Sequence, residues 1–262
     1  MSETKKVLFS PGNLQYTQST NTWSFASTQY EMLGTDNVIG GVVDSDPKYG
    51  DTKLGDALAD RIDLFGWSGN DGSAKFGVSA SNKHEDYFGD FVDWGTNTIG
   101  DDAPNTWRTL TNKEWEYLDW QRPNAKNLIG AAQVNGVNGW IVLPDKWTRI
   151  LGIEFNPGSQ DLVYISSYAD NQTFTIDQWS RLEKAGAVFL PASGYRSTWN
   201  DSEKEYFPGS YVYGVHRDGR YWASMDNGNY SAYSFCIAPS ESSVQNDIRC
   251  QGFSVRLVQD IP

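Results

Sequence analysis

The sequence predicts an α+β protein in which short antiparallel strands carry most of the core. Of its 262 residues, 14% are aromatic and 25 are Gly, a composition that favours short strands and tight turns over long helices. Apolar residues alternate with polar ones in several short runs near both ends of the chain, as in half-buried strands. Only two segments carry the start signals of a helix. The 39% of hydrophobic residues can bury a substantial core.

The N-terminal region predicts a strand pair followed by long loops. Alternating apolar residues in KKVLFSPGNLQYTQSTNTWSFA (5–26) are interrupted by Ser-Pro-Gly and by a polar stretch, which indicates a hairpin or meander. Residues 34–106 are rich in Gly, Asp and Asn and contain isolated aromatic residues. We interpret them as long loops held in place by their own rings.

Two short amphipathic helices are predicted from their capping residues. In WRTLTNKEWEYL, Thr111 is the predicted N-cap and Glu114 completes a capping box. In TFTIDQWSRLEKAG, Thr175 and Gln178 repeat this arrangement, and Gly186 ends the second helix.

The remaining elements are predicted to be antiparallel strands. Asn135-Gly136 is the signature of a type I′ hairpin turn, and a later strand is expected to stop at Pro191. The segments YSAYSFCIA (230–238) and GFSVRLV (252–258) both alternate, so we predict that they pair with each other. Neither the N-terminal hairpin nor the last strand has a core of its own, and we therefore predict one cooperative domain over residues 1–262.

The net charge disfavours two classes of partner, and the hydropathy argues against a segment that spans a membrane. A formal net charge of −12 disfavours binding to nucleic acid and to anionic lipid surfaces. No apolar stretch approaches the ~20 residues that span a bilayer, and MSETKKVLFS lacks the apolar centre of a signal peptide. Since the chain begins almost on a strand, we expect it to be cut from a longer precursor.

The sequence leaves the state of its two cysteines open. Cys236 and Cys250 lie in a region that predicts two strands joined by a loop, so a disulfide between them is geometrically allowed. Two half-buried thiols are the equally acceptable alternative.

Six ordered segments span nearly the whole chain: FSPGNLQY (9–16), WRTLTNKEWEYL (107–118), VNGVNGWIVLPD (134–145), GAVFLPASGYR (186–196), GRYWAS (219–224) and GFSVRLV (252–258). Together they resemble the Fibrobacter succinogenes major paralogous domain family of secreted bacterial proteins. The resemblance implies a C-type lectin-like fold, with two short helices flanking small antiparallel sheets and long loops. It also implies a secreted or cell-surface location.

The same resemblance indicates where a partner would bind. Related domains are the variable proteins of diversity-generating retroelements, in bacterial surface proteins and phage receptor-binding tips. In those proteins the binding residues lie between a YWSS-like motif and an SVRLV-like strand. The motif is Tyr221-Trp222-Ala223-Ser224 here, and Ala223 is a minor departure from it.

The stretch GRYWASMDNGNYSAY (219–233) mixes rings with small polar residues. Alternation with small residues places Tyr221, Trp222 and Tyr233 on the faces of a sheet, and the resemblance assigns Trp222 to the core, so we interpret all three as structural. The intervening residues combine rigid aromatic and adaptable polar groups, as binding loops do. The predicted ligand-binding residues are Arg220, Met225, Asp226, Asn227, Asn229 and Tyr230, together with Asp247, Ile248 and Gln251 before the last strand.

We therefore predict a non-enzymatic module that binds a protein or glycan. The alternatives are a structural domain of a larger surface protein or fibre and an enzyme related to the formylglycine-generating fold. Against the enzyme, Cys236 and Cys250 do not have the close spacing that such chemistry uses, and His84 and His216 are isolated in the sequence.

No metal or cofactor is predicted. Trp199-Asn200-Asp201 matches half of the calcium motif of carbohydrate-binding C-type lectins, but the companion Glu-Pro-Asn or Gln-Pro-Asp triplet is absent. Calcium needs six to eight oxygen ligands, so we interpret this triplet as a polar loop. Asp-rich loops elsewhere are interpreted as turns, with a structural calcium ion as the open alternative; their residues are Asp44, Asp46, Asp101 and Asp102.

Overall fold

A computed structural model of the chain describes residues 5–41, 43–46, 50–55, 57–155, 157, 172–200, 205–239 and 241–261. Its strands in chain order are β1 (Lys6–Phe9), β2 (Leu14–Thr17), β3 (Thr22–Phe25), β4 (Val38–Ile39), β5 (Val43–Asp46), β6 (Gly50–Gly55), β7 (Ala57–Leu58), β8 (Arg61–Ile62), β9 (Arg108–Thr109), β10 (Ile129–Val134), β11 (Val137–Val142), β12 (Thr173–Phe174), β13 (Val188–Pro191), β14 (Ser193–Asn200), β15 (Glu205–Val215), β16 (Gly219–Asn227), β17 (Ser231–Ala238), β18 (Glu241–Ile248) and β19 (Leu257–Ile261). The helices are α1 (Asn112–Glu116), continued by a π turn over Tyr117–Gln121, and α2 (Ile176–Lys184). Short 3₁₀ turns cover Gly34–Asn37, Lys75–Gly77, His84–Tyr87, Trp94–Thr96 and Ala125–Asn127.

The predicted α+β class is confirmed, because strands make up 42% and helices 17% of the structure. The largest sheet has seven strands in the order β18-β17-β16-β14-β15-β6-β5. The four smaller sheets have the orders β12-β10-β11-β13, β1-β19-β9, β3-β2-β8 and β4-β7.

The first and last strands lie side by side. β1 pairs antiparallel with β19, with Lys6 opposite Ile261 and Phe9 opposite Val258. The first strand therefore obtains its hydrogen-bonding partner from the far end of the sequence. This agrees with the reasoning that neither end has a core of its own, and a single cooperative domain stays a prediction.

The predicted helix starts and the predicted hairpin turn are confirmed. The side-chain oxygen of Thr111 accepts a hydrogen bond from the backbone amide of Glu114 at 3.2 Å, and Glu114 Oε2 accepts one from Thr111 N at 2.9 Å. Thr175 and Gln178 form the same capping box at the start of α2. The turn between β10 and β11 has positive φ at both Asn135 and Gly136, as a type I′ turn requires.

The predicted pairing of YSAYSFCIA with GFSVRLV is wrong. β17 lies between β16 and β18, whereas β19 begins only at Leu257 and pairs with β1 and β9. The partner of β17 is the polar run ESSVQNDI, which the periodicity argument missed because it contains only two apolar residues. Because the connection between β17 and β18 is short, this local pairing costs little chain entropy.

Two segments interpreted as loops are strands. Trp199 and Asn200 end β14, opposite Tyr206 and Glu205 of β15, while Asp201 lies outside the described residues. Within the region 34–106, β5 and β6 form a hairpin that pairs with β15, so Asp44 and Asp46 belong to a strand. Polar strands of this kind lack the apolar alternation that reveals strands in a sequence.

The core contains two aromatic groups on opposite faces of β16 and β17. Trp115 of α1 stacks on Phe235 with ring centroids 4.7 Å apart, next to Tyr221. On the other face Trp222 stacks on Phe253 at 4.2 Å. Tyr221 and Trp222 are fully buried, and a half-buried Tyr233 packs against the first group, so their assignment to the core is confirmed.

Buried arginine side chains connect distant segments. Arg122 follows the π turn and donates hydrogen bonds to the main-chain oxygens of Leu118, Leu143 and Leu128 at 3.0, 2.7 and 3.1 Å. The guanidinium thereby fixes α1 and its π turn to the β10–β11 hairpin.

A buried carboxyl group lies between the N-terminal segments. Asp63 is fully buried and accepts hydrogen bonds from Asn37 Nδ2 at 2.7 Å and from Leu33 N at 2.9 Å. Burial raises the pKa of Asp63 to about 6, and these hydrogen bonds only partly offset that effect. The folded state therefore binds a proton more tightly than the unfolded chain, whose Asp has an ordinary pKa of 3.8.

Replacement of Thr111 or Thr175 by Ala should lower the free energy of unfolding by about 1 kcal/mol each, because each change leaves an N-terminal helical amide unsatisfied. Urea unfolding measures this loss. The matched variants Thr111→Ser and Thr175→Ser retain the hydroxyl and should lose much less. Equal losses for Ala and Ser would show that the hydroxyl does not stabilise the helix start.

Asp63 should make the protein more stable as the pH falls. An acid whose pKa is higher in the folded state stabilises the protein as the pH falls through that folded pKa. We therefore expect the free energy of unfolding to increase by about 1 kcal/mol between roughly pH 7 and pH 5. Asp63→Asn lacks this group, and the difference between the two pH profiles of unfolding free energy isolates its contribution from that of other carboxylates. Parallel profiles would refute the raised pKa.

Candidate functional site

The end of β16 and its connection to β17 present five of the predicted ligand-binding residues to solvent. We call Met225, Asp226, Asn227, Asn229 and Tyr230 the turn surface; all five are exposed, Met225 by 45% and Tyr230 by 57%. β16 carries a bulge just before it, since Trp222 pairs with Ser234 but Asp226 pairs with Ala232. A bulge bends and twists a strand, and here it separates the buried half of β16 from the exposed half.

Tyr230 is held from two sides by residues that the sequence did not single out as part of this site. Its ring contacts His84 and Phe88 edge to face, with centroid distances of 5.3 Å in both cases. His84 is the first residue of the 3₁₀ turn His84–Tyr87, and Phe88 directly follows this turn. The aromatic residues scattered through 34–106 were the only sequence signal for this contact.

Arg249 fixes the turn to the rest of the protein. Its side chain is only 2% exposed. It donates to the main-chain oxygens of Gly228 at 2.9 Å and Ser231 at 3.2 Å, on either side of the turn. It also donates to the oxygens of Gly89 at 3.0 Å and Tyr87 at 3.2 Å in the neighbouring loop. One side chain thus supplies partners for four carbonyl groups.

The charge of Arg249 is balanced by a ring and a carboxylate. Its guanidinium lies 4.0 Å from the centroid of the Trp67 ring, a cation–π contact. Burial lowers the pKa of Arg249, and the carboxylate of Asp226, 3.6 Å from Nη2, acts in the opposite direction. The sequence analysis missed Arg249, although it lies between the predicted residues Ile248 and Gln251.

Arg220 and Asp247 form a partly buried ion pair below the turn. Arg220 Nη1 donates to Asp247 Oδ1 at 2.5 Å, and the hydroxyl of Ser234 donates to the other carboxylate oxygen. The Arg220 guanidinium also lies 4.7 Å from the ring centroid of Tyr195. Burial alone would lower the pKa of Arg220, but the Asp247 carboxylate and other neighbours raise it overall. The structure therefore brings these two residues together, with their charges directed at each other.

Ile248 and Gln251 are not part of the exposed turn surface. Both are partly buried, and Ile248 packs against a cluster of Ala74, Tyr87 and Cys250. Asp247 and Ile248 are opposite Ala232 and Ser231 of β17, which in turn pair with Asp226 and Asn227. The two predicted segments are thus neighbours across one strand, and their role in binding stays a prediction.

The cysteines are present as thiols and no disulfide links them. Cys236 is partly buried on β17, and burial raises the pKa of its thiol to about 11. Cys250 is buried. In the part of the chain that the structure describes, no three His, Cys, Asp or Glu side chains are grouped to hold a metal ion.

Comparisons with protein-family models, with curated proteins and with solved structures gave no match to this chain. Among the described residues, no helix has both the length and the apolar character needed to cross a bilayer. A function must therefore be argued from the geometry of the site.

Arg249→Met should lower the free energy of unfolding by about 2–4 kcal/mol, because four carbonyls lose a charged donor. Urea unfolding gives the loss, and faster hydrogen exchange at the amides of the turn would localise it. Arg149→Met is the matched control, since Arg149 lies in an exposed ion pair with Glu154 that should contribute less than about 0.5 kcal/mol. Similar losses for the two variants would contradict the anchoring role of Arg249.

Proposed function

We propose that this chain is a C-type lectin-like domain that binds a protein or glycan through its turn surface and catalyses no reaction. It is secreted or displayed on a cell surface, as the resemblance to the Fibrobacter succinogenes major paralogous domain implies. Two capped helices, mostly antiparallel sheets and long irregular segments support that layout, although the largest sheet has seven strands. The variable proteins of diversity-generating retroelements are the related class to which the exposed turn is best compared.

The observation that carries this proposal is an exposed aromatic and amide surface on a fixed backbone. Tyr230 has only two side-chain torsions, so it gives a large contact area at a small cost in entropy. Asn227 and Asn229 can donate and accept hydrogen bonds. Because Arg249 already holds both ends of the turn, little further backbone order has to be imposed on binding.

The chemistry of the turn surface suits either a protein or a sugar. A partly exposed tyrosine ring can pack on the apolar face of a sugar or on an apolar side chain, and neighbouring amides can bond to hydroxyl or peptide groups. Asp226 is the only carboxylic acid among the five residues, and none of them is basic. A strongly charged partner is therefore not what this surface selects.

Two features support the absence of catalysis. A cysteine reacts as its thiolate, and the pKa of about 11 keeps the Cys236 thiol protonated near neutral pH. The ring of His84 packs against Tyr230, which gives it a structural use at the site. A turnover assay against thiol-containing peptides tests the rival enzyme.

Binding is tested by screening a glycan array and a displayed peptide library with the wild type and with Tyr230→Ala and Asn227→Ala. Ligands of the turn surface should bind each variant more weakly by roughly 1–2 kcal/mol, while the free energy of unfolding changes by less than about 0.5 kcal/mol.

Leu151→Ala is the matched control, since Leu151 is 93% exposed in the segment near α2 and should leave binding unchanged. Ligands that bind all the variants equally well would contradict the turn surface as the binding site. Failure to find any ligand in either screen would favour the structural-domain alternative.

A further inference from the structure

Strand β18 forms an open edge of the seven-stranded sheet. It pairs with β17 along its whole length, from Glu241 opposite Ala238 to Ile248 opposite Ser231. The sheet order gives it no second neighbour among the described strands. Its eight residues make it twice as long as β5 at the opposite edge, which has four.

The direction of each backbone group of β18 follows from one hydrogen bond. The amide of Arg249 donates to the oxygen of Tyr230, and antiparallel pairs alternate between bonded and non-bonded positions. Every second residue back from Arg249 therefore directs its N–H and C=O at β17. Between these residues, Ser242, Val244 and Asn246 direct theirs away from the sheet. Within the described part of the chain, these outward groups form no backbone–backbone hydrogen bond.

Of the usual protections of an edge strand, this edge has only two acidic side chains, Glu241 and Asp247. Natural edges are commonly guarded by lysine, proline, bulges or short length. The sequence ESSVQNDI has no Lys, Arg or Pro, and its register with β17 is continuous. Such an edge offers main-chain donors and acceptors to an extended peptide.

The surroundings of β18 define the chemistry of the segment that would fit. The hydroxyl of Ser242 donates to the carboxylate of Asp119 in the π turn, which places that turn beside the first half of β18. The next residue, Trp120, is 66% exposed. Glu241, the first residue of β18, adds a further carboxylate at this end, and neither β18 nor the π turn contains a basic residue.

We propose that β18 receives an extended, lysine- or arginine-containing segment of a partner protein as an added strand. The main chain of the segment bonds to the outward groups of Ser242, Val244 and Asn246, and its basic side chains face the carboxylates near Asp119. A second copy of this chain is a poor occupant, because it carries the same net charge of −12 and the same acidic edge. This surface is separate from the turn surface and does not depend on its function.

The test uses a capped peptide of alternating lysine and valine, as long as β18, and a matched peptide of alternating glutamate and valine. We expect the lysine peptide to bind at least about tenfold more tightly by fluorescence anisotropy. Hydrogen exchange should slow at the amides of Ser242, Val244 and Asn246 when it binds. Equal binding of both peptides, or binding without this protection, would overturn the proposal.

Asn246→Pro removes an outward N–H without removing a bond to β17, a position at which edge strands accept proline. It should weaken binding of the lysine peptide by about tenfold or more, whereas Asn246→Ala retains the amide and should bind as the wild type does. Tyr230→Ala should also bind normally, which separates this surface from the turn surface. Unchanged binding by a folded Asn246→Pro would count against the added strand.

If Asn246→Pro does not fold, the exchange protection in the wild type decides the question alone. Sedimentation of the wild type without peptide provides the last check. A dimer in which the outward amides are already protected would assign the edge to a second copy and overturn the proposal.

Discussion

The exposed turn of this protein depends on the buried guanidinium group of Arg249. A buried guanidinium is expensive to desolvate, but its fixed fork of donors can satisfy several main-chain oxygens at once. Arg249 uses that geometry on four carbonyls, and its guanidinium lies over the ring of Trp67. Arg122 likewise donates to three main-chain oxygens. Arg256 donates to the side-chain oxygens of Asn13 and Gln29. The hydrogen bonds of these arginine side chains hold irregular segments in place where no strand or helix does so.

This arrangement explains how exposure and order occur together at the turn. Exposed connections usually have few buried contacts and fluctuate. Here the side chains of Met225 and Tyr230 face solvent, while Arg249 bonds to the backbone oxygens of Gly228 and Ser231 beneath them. The residues that would meet a partner are thus different from those that keep the turn in place.

Elements defined by short sequence signals could be predicted, and elements defined by distant contacts could not. The capping boxes at Thr111 and Thr175 and the Asn135-Gly136 turn depend on neighbours within a few residues, and the structure confirms them. The exposure of the 225–230 segment was also foreseen from its composition. β18 was missed because a polar edge strand has no apolar alternation. The anchoring role of Arg249 was missed because its partners Tyr87 and Gly89 lie about 160 positions earlier.

The pairing of β1 with β19 has a geometric consequence for any protein that contains this chain. Lys6 lies directly opposite Ile261, so polypeptide that enters through the first strand and polypeptide that leaves through the last are separated by about one strand spacing, ~5 Å. A host protein can therefore accommodate the whole unit within a single surface loop, with no stretching of its own backbone. Tension applied to the two ends would act across the β1–β19 hydrogen bonds one after another, like a zip, instead of shearing them all together.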